Sequence, residues 1–184
     1  MSDIAFDDIP RNLPDGNNMG SLSALYLGRH KDVKTWPNAP EEEDTFESAA
    51  SLTGDLVMKE NQRMVPFYFT DDTAELSVKE VGEIDGISLE VTITVFHPGM
   101  QKKILGFFSA TKNEDLVAVP VDGEGQKYLV GSELRPVKRQ AADGSGTGKE
   151  SKSRKGVALS LVWKTNSLRV YEGSVPLTQA TSGV

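Results

Sequence analysis

The sequence predicts a mostly β protein, an antiparallel β-sandwich or barrel with one flanking α-helix and long loops and arms. Three observations predict this class. Short segments with apolar residues at every second position recur along the chain, Asp-Gly and glycine-rich turns separate them, and a single segment has helical spacing. About eight short strands and one helix are typical of two packed sheets with a helix on one side.

Two segments carry the strongest strand signal. In "ISLEVTITVF" and in "KGVALSLVWKT", apolar residues alternate with other residues, as in a strand that buries one face. The first set is Ile87, Leu89, Val91, Ile93 and Val95, and the second set is Val157, Leu159, Leu161 and Trp163. Each set is therefore predicted to face the core.

The other strands are predicted from shorter runs of apolar and β-branched residues. "SLSALYLGR" suits a strand buried on both faces, and "DLVAVPV", the turn "DGEG" and "QKYLVG" suit a hairpin. A closing "LRVYEGSVPL" is predicted to form a final hairpin with "KGVALSLVWKT". The remaining predicted strands are "LTGDLVMKE", "MVPFYFT", "AELSVKEVGE" and "ELRPVK".

One helix is predicted over about 99–111, with Pro98 at its opening. Its apolar stripe is expected to pack on the core. Adjacent helical residues lie about 100° apart, so only one of its two phenylalanines can point directly into the core. The stripe comprises Met100, Ile104, Phe107 and Phe108.

The chain is predicted to hold a single β-sandwich domain over residues 21–178. Residues 1–20 form an N-terminal arm without a periodic apolar face, and residues 179–184 form a C-terminal tail. The domain carries a long loop, 29–51, and a glycine-rich hairpin, 139–156. Connections of about 20 residues are uncommon in compact domains unless they are functional or disordered.

Composition argues against several classes of function. The 184 residues include no cysteine and two histidines, so disulfides and thiolate chemistry are excluded, and no metal or other cofactor is expected. No nucleophile lies near a general base in a known catalytic pattern, so we expect no enzyme. The acidic start "MSDIAFDDIP" has no secretory signal and no apolar run is long enough to span a bilayer, which favours synthesis in the cytoplasm and no membrane partner.

The stretch "DGSGTGKES" resembles a phosphate-binding loop, but it fails at both defining positions. Such a loop needs glycine five residues before Gly148 and a hydroxyl residue after Lys149, where the sequence has Asp143 and Glu150. The following segment has strand periodicity, whereas a phosphate loop leads into a helix. We therefore interpret this stretch as a hairpin tip.

Charge is unevenly distributed along the chain, whose net charge is −7. The acidic excess lies in residues 1–50, whereas residues 139–155 carry more basic than acidic side chains. Opposite charges on two segments could meet between copies of the chain. The candidate assembly residues are Trp36, the acidic Glu41, Glu42, Glu43 and Asp44, and the basic Lys149, Lys152, Arg154 and Lys155.

The order of segments resembles the major tail proteins, which are the tail-tube subunits of long-tailed bacteriophages. The resemblance spans about residues 20–178 and rests on a strand, "FHPG", a helix, a strand, "DGEGQKYLVGS", the glycine-rich hairpin with "KGVALSLVWK", and "VYEGSVPL". It implies a structural virion protein, made in the bacterial host, whose copies form rings of six that stack into a tube. The implied partners are further copies and other tail proteins, with DNA as cargo that does not stick to the lumen.

Other functions fit the same pattern. A head-to-tail connector, a tail terminator or a capsid-decorating protein could share the fold and the long loops. Outside this class, a carbohydrate-binding β-sandwich could use Trp36, Tyr68 or Trp163 as a stacking platform.

Overall fold

The computed structural model describes residues 7–9, 20–150 and 152–178. Within them the chain is mostly β, with sandwich-like antiparallel sheets that do not close into a barrel, which confirms the predicted fold class. The strands are β1 (Leu22–Arg29), β2 (Val33–Thr35), β3 (Ser51–Leu52), β4 (Val57–Met58), β5 (Val65–Pro66), β6 (Glu75–Val81), β7 (Ser88–Pro98), β8 (Leu116–Asp122), β9 (Tyr128–Leu129), β10 (Lys138–Gln140), β11 (Gly156–Thr165) and β12 (Arg169–Tyr171). The α-helices are α1 (Phe46–Ala49) and α2 (Lys102–Ala110), and His30–Asp32 form one 3-10 turn.

The largest sheet has the order β10-β11-β7-β6, and all of its pairings are antiparallel. Ile93 lies opposite Leu161 and Val95 opposite Leu159, so the alternating apolar positions of the two long strands share one face. All four side chains are buried. The two strongest strand predictions are therefore confirmed, and they form the centre of the largest sheet.

A second sheet has the order β5-β1-β8, again antiparallel. Strand β8 turns back at the predicted "DGEG" turn, where the Gly125 N–H donates to the Asp122 carbonyl at 3.2 Å. After the turn, Val130 exchanges two backbone hydrogen bonds of 2.9 Å with Ala118. The predicted hairpin is confirmed.

The main core lies where the largest sheet, the second sheet and α2 meet. Ile104 is the buried residue of α2, and Met100, Phe107 and Phe108 are half-buried against the same cluster. The predicted helical stripe is thus core packing, although neither phenylalanine is fully buried. The buried members are Leu22, Leu25, Leu27, Phe67, Phe69, Ala74, Val91, Ile93, Val95, Ile104, Leu116, Ala118, Val130, Val137, Val157, Leu159, Leu161 and Trp163.

A second core lies on the other face of β8 and is built mostly from short segments. At its centre the Tyr171 hydroxyl accepts a hydrogen bond from the Leu56 N–H and donates one to the Ser174 carbonyl, both at 2.8 Å. The buried members are Val33, Leu56, Met58, Met64, Val117, Val119, Leu129 and Tyr171.

The predicted final hairpin is wrong. Strand β11 pairs with β7 along its whole length on one side and with β10 at Ser160, Leu161 and Val162 on the other, and β12 does not pair with it. Instead β12 pairs antiparallel with β9 and parallel with β3, which brings the end of the described chain onto the second core.

The predicted helix is correct in place but begins later than expected. Strand β7 continues through Pro98, which pairs with Gly156 of β11. Gly99 then adopts a φ of +83°, and its N–H donates to the Lys155 carbonyl at 2.9 Å, so the chain turns before α2 begins at Lys102. Proline therefore ends a strand here and does not open the helix.

The connection over 29–51 contains local structure. It holds β2 and the one-turn helix α1, whose N-cap Thr45 exchanges side-chain and backbone hydrogen bonds with Ser48.

Three other predicted strands are shorter than expected: "LTGDLVMKE" splits into β3 and β4, "MVPFYFT" keeps only β5, and the strand predicted at "ELRPVK" begins at Lys138. The tail 179–184 and most of the arm 1–20 lie outside the described residues.

Candidate assembly surfaces

The glycine-rich segment is a hairpin between β10 and β11. Gly146 and Gly156 exchange backbone hydrogen bonds of 2.9 and 3.0 Å, and the segment continues into β11. Gly148 has a φ of +73°, and a Cβ there would lie 2.3 Å from the Cβ of Ser153. The glycine is therefore required by the tight tip itself. A strand in place of a helix removes the geometry that a phosphate loop needs.

The basic candidates on this hairpin are exposed, and they differ in their contacts. Lys152 forms an ion pair of 2.9 Å with Glu150, and the Arg154 guanidinium lies 4.6 Å from the centre of the Phe96 ring. Lys149 and Lys155 form no ion pair with another described residue. Exposed pairs of this kind contribute about 0–1 kcal/mol, so the lysines remain available to a partner.

Arg139 belongs to the same segment, but its side chain points toward the end of α2. Its Nη1 donates to the Phe108 carbonyl at 2.8 Å and to Thr111 Oγ1 at 3.2 Å, and its guanidinium lies 4.2 Å from the Phe108 ring. Burial lowers the pKa of the Arg139 guanidinium. This side chain fastens β10 to α2 and does not contribute to the exposed basic surface.

The acidic candidates separate into one paired and three exposed side chains. Glu43 forms an ion pair of 2.7 Å with Arg169, which ties the long loop to β12. Glu41, Glu42 and Asp44 are exposed and form no ion pair with another described residue. No ion pair joins this acidic run to the basic hairpin within the described chain.

Trp36 is half-buried and borders a groove of about 310 Å³. Its ring centre lies 5.1 Å from that of His30, whose Nε2 is hydrogen-bonded to the Ser132 carbonyl at 2.8 Å. The other proposed platforms differ: Tyr68 is 67% exposed, whereas Trp163 is 6% exposed and donates to the Arg135 carbonyl. Trp163 is therefore a core residue and offers no stacking surface.

His97 of β7 makes a backbone contact. Its Nδ1 is hydrogen-bonded to the Tyr68 carbonyl at 2.8 Å, which links β7 to the segment after β5.

Sequence reasoning missed one exposed surface. Strand β6 lies at the edge of the largest sheet, with one side unpaired among the described residues. Val78 of β6 is 48% exposed, and Ile84 and Ile87, in the turn between β6 and β7, are 91% and 64% exposed, although Ile87 was predicted to face the core. We call these three residues the β6 apolar patch. The sequence gives the alternation of a strand but not which strand lies at an edge.

The described residues contain no group of three or more histidine, aspartate or glutamate side chains placed to hold a metal ion. Among them, no helix has both the length and the apolar character needed to cross a bilayer.

Comparisons of the chain with protein-family models, with curated proteins and with solved structures found no match.

Proposed function

We propose that the chain is a structural subunit whose copies assemble into stacked rings that form a bacteriophage tail tube, with six copies in each ring. The observation that carries the proposal is the open edge of β6 together with the β6 apolar patch. The resemblance in segment order supplies the particular class, and the mostly β fold with one flanking helix is consistent with it.

The edge of β6 favours self-association on physical grounds. A long unpaired strand exposes a row of backbone N–H and C=O groups, and soluble proteins usually cover or shorten such edges. Strand β6 spans seven residues and has β7 on one side. Pairing with another copy would satisfy these groups and remove the β6 apolar patch from water.

The distribution of charge also supports contacts between copies. The exposed Glu41, Glu42 and Asp44 and the exposed Lys149 and Lys155 have no ion-pair partners within the described chain. Between neighbouring copies such groups would act over about 8 Å at physiological salt and would help to fix orientation.

Net acidity is compatible with a tube that conducts DNA. A basic lining would bind the phosphate backbone by releasing counterions, and this affinity would hinder passage. A chain with a net charge of −7 does not provide such a lining overall.

The test replaces the β6 apolar patch with serine in the triple variant Val78→Ser, Ile84→Ser and Ile87→Ser. Because these side chains are exposed, the variant should fold, as seen by circular dichroism, and should lose rings and tubes in negative-stain electron microscopy. The matched control is Leu134→Ser, since Leu134 is 92% exposed and lies elsewhere. Assembly of the triple variant at the wild-type level would refute the role of β6.

The charge proposal has its own test. Replacing Lys149, Lys152, Arg154 and Lys155 with glutamate should slow or abolish assembly, followed by light scattering. Changing Glu41, Glu42 and Asp44 to lysine in the same chain should restore part of it. Glu43 is kept, because its ion pair with Arg169 holds the loop to its own chain. Unchanged kinetics at low and high salt would remove these segments from the interface.

A second candidate function is carbohydrate binding, which the groove beside Trp36 favours. Asn38, Glu133 and Arg169 line this groove beside the indole, and aromatic rings with flanking polar groups suit sugar rings. Tryptophan fluorescence should then change on titration with sugars, and Trp36→Phe should abolish the change. A wild-type signal in Trp36→Phe, or none in the parent, would remove this candidate.

A further inference from the structure

Helix α2 borders two adjoining cavities that share one wall. One has a volume of about 640 Å³ and the other of about 440 Å³. Both are lined by Arg63, Val65, Lys103 and Phe107, so together they form one groove between α2 and the strands β1 and β5. We call it the α2 groove.

The α2 groove has an apolar floor and a basic rim. Phe67, Ile104 and Phe107 form apolar surface, and the Phe67 and Phe107 ring centres lie 5.4 Å apart. The charged lining residues are the cations Arg29, Arg63 and Lys103 and the single anion Asp32. A basic groove in a chain of net charge −7 indicates an occupant that is acidic and apolar.

The chain itself contains such a segment near its N-terminus. The sequence "DIAFDDI", residues 3–9, has three aspartates among four apolar residues and no basic residue. In an extended strand, alternate side chains point to opposite sides, so Ile4 and Phe6 can face the floor while Asp7 approaches the basic rim. Its chemistry is complementary to the groove in both charge and apolarity.

The described part of this segment does not rest on its own chain. Ile9 is 84% exposed, and Asp7 and Asp8 are exposed without an ion pair to another described residue. The two exposed aspartates and the isoleucine that follows them therefore form an acidic and apolar surface that their own chain does not cover. A second copy is therefore the occupant that these contacts favour.

We propose that the α2 groove binds the acidic N-terminal segment, residues 3–9, of a second copy of this chain. The inference rests on the proposed self-assembly and names one of its contacts. Aspartate carboxylates of the segment pair with Arg63 and Lys103, and its apolar side chains cover Phe107 and Val65.

Gly106 supplies a sensitive probe, because it lines the groove and a Cβ placed on it meets no atom within 4 Å. Gly106→Phe fills the groove and should weaken binding at least tenfold. The matched control is Ser109→Phe, on an exposed position of α2 that does not line the groove, and it should bind as the parent does. Equal binding by both variants would overturn the proposal.

The binding experiment titrates the full chain into a fluorescent peptide of residues 1–12 and follows anisotropy. The double variant Arg63→Glu, Lys103→Glu should bind at least tenfold more weakly than the parent, and a peptide with Asp7→Lys and Asp8→Lys should recover binding to it. The matched control, Lys34→Glu with Lys164→Glu, makes the same charge change outside both the groove and β6 and should bind as the parent does. A loss of equal size in the control would show a general charge effect and refute the groove.

Cross-linking distinguishes binding of a second copy's N-terminal segment from binding of the chain's own segment. The sequence has no cysteine, so Ile9→Cys in one preparation and Gly106→Cys in another introduce the only thiols. Mild oxidation of the mixture should give a disulfide-linked dimer of the two variants. With both cysteines in one chain, a monomeric, concentration-independent cross-link would identify the chain's own segment as the occupant and overturn the proposal.

The same samples separate this inference from the proposed function. Rings seen by electron microscopy without the cross-linked dimer would refute the α2 groove contact and leave the tube proposal standing. Cross-linked dimers without rings would support the groove contact and contradict the tube.

Discussion

The main core and the second core share strand β8 but are built in different ways. Leu116 and Ala118 of β8 face the main core, and Val117 and Val119 face the second core. The main core is filled largely by long strands whose apolar residues alternate. The second core is filled by short strands and by a tyrosine whose hydroxyl holds two backbone groups.

This difference shows two ways of closing a β-sandwich. In the main core, register and alternation align whole rows of side chains, so burial follows from strand pairing. In the second core, the segments are too short to align themselves and depend on specific hydrogen bonds around Tyr171. We expect loss of side-chain volume to destabilise both cores, and loss of a side-chain hydrogen bond to destabilise the second core in particular.

The largest expected effect comes from cavities in either core. Ile93→Ala in the main core and Met64→Ala in the second core each remove a side chain that is 0% exposed, and each should lower the free energy of unfolding by about 2–5 kcal/mol. Because β8 is a wall of both cores, each variant should unfold in one transition. A separate early transition for Met64→Ala, in urea denaturation followed by two probes, would contradict the coupling.

The next effect tests the hydrogen bonds of the second core. Tyr171→Phe keeps the shape of the ring but leaves the buried Leu56 N–H without its acceptor, and it should cost about 1–3 kcal/mol. Tyr26→Phe is the control, since Tyr26 packs on the same core and its hydroxyl forms no hydrogen bond with another described residue. A loss of the same size in both variants would show that ring packing, not the hydroxyl, stabilises this region.

A smaller effect concerns pH and the last described segment. The Ser174 N–H and hydroxyl donate to Asp55 Oδ1 at 2.8 and 3.1 Å and hold the pKa of the Asp55 carboxyl below its ordinary value of 3.8. Because the folded pKa is the lower one, this contact stabilises the fold fully above pH 3.8, and the stability is lost as pH falls through the folded pKa.

Asp55→Asn tests this dependence, since it removes the titrating carboxyl. The melting temperature of the parent should exceed that of the variant at neutral pH, and the difference should disappear in acid, below the folded pKa of Asp55. A difference that is constant across the whole pH range would show that ionisation of Asp55 does not contribute.

The main core was predictable from sequence because its signal is local. Alternation in β7 and β11 and helical spacing in α2 are visible within a dozen residues, and each places most of its apolar residues in the main core, with Ile87 as the exposed exception. The second core was not predictable in this way. Its pairings join β12 with β3, which is far away in sequence, and no pattern in "LRVYEGSVPL" shows that this segment pairs with β3 and β9 and not with β11.

The candidate surfaces were predictable in part. The distribution of charge predicted that Lys149 and Glu41 are exposed. It could not show that Glu43 forms an ion pair with Arg169 or that Arg139 binds to the backbone of α2. Those contacts depend on strands that the fold brings together. The α2 groove likewise depends on the approach of β5 to the helix, which no local pattern encodes.

The most direct test of the proposed assembly is negative-stain electron microscopy of the purified full chain over a range of concentrations, with sedimentation velocity on the same samples. Rings and stacked tubes should increase with concentration and should be absent from the variant with serine at the β6 apolar patch. A single sedimenting species of monomer size at every concentration, with no rings on the grids, would contradict it.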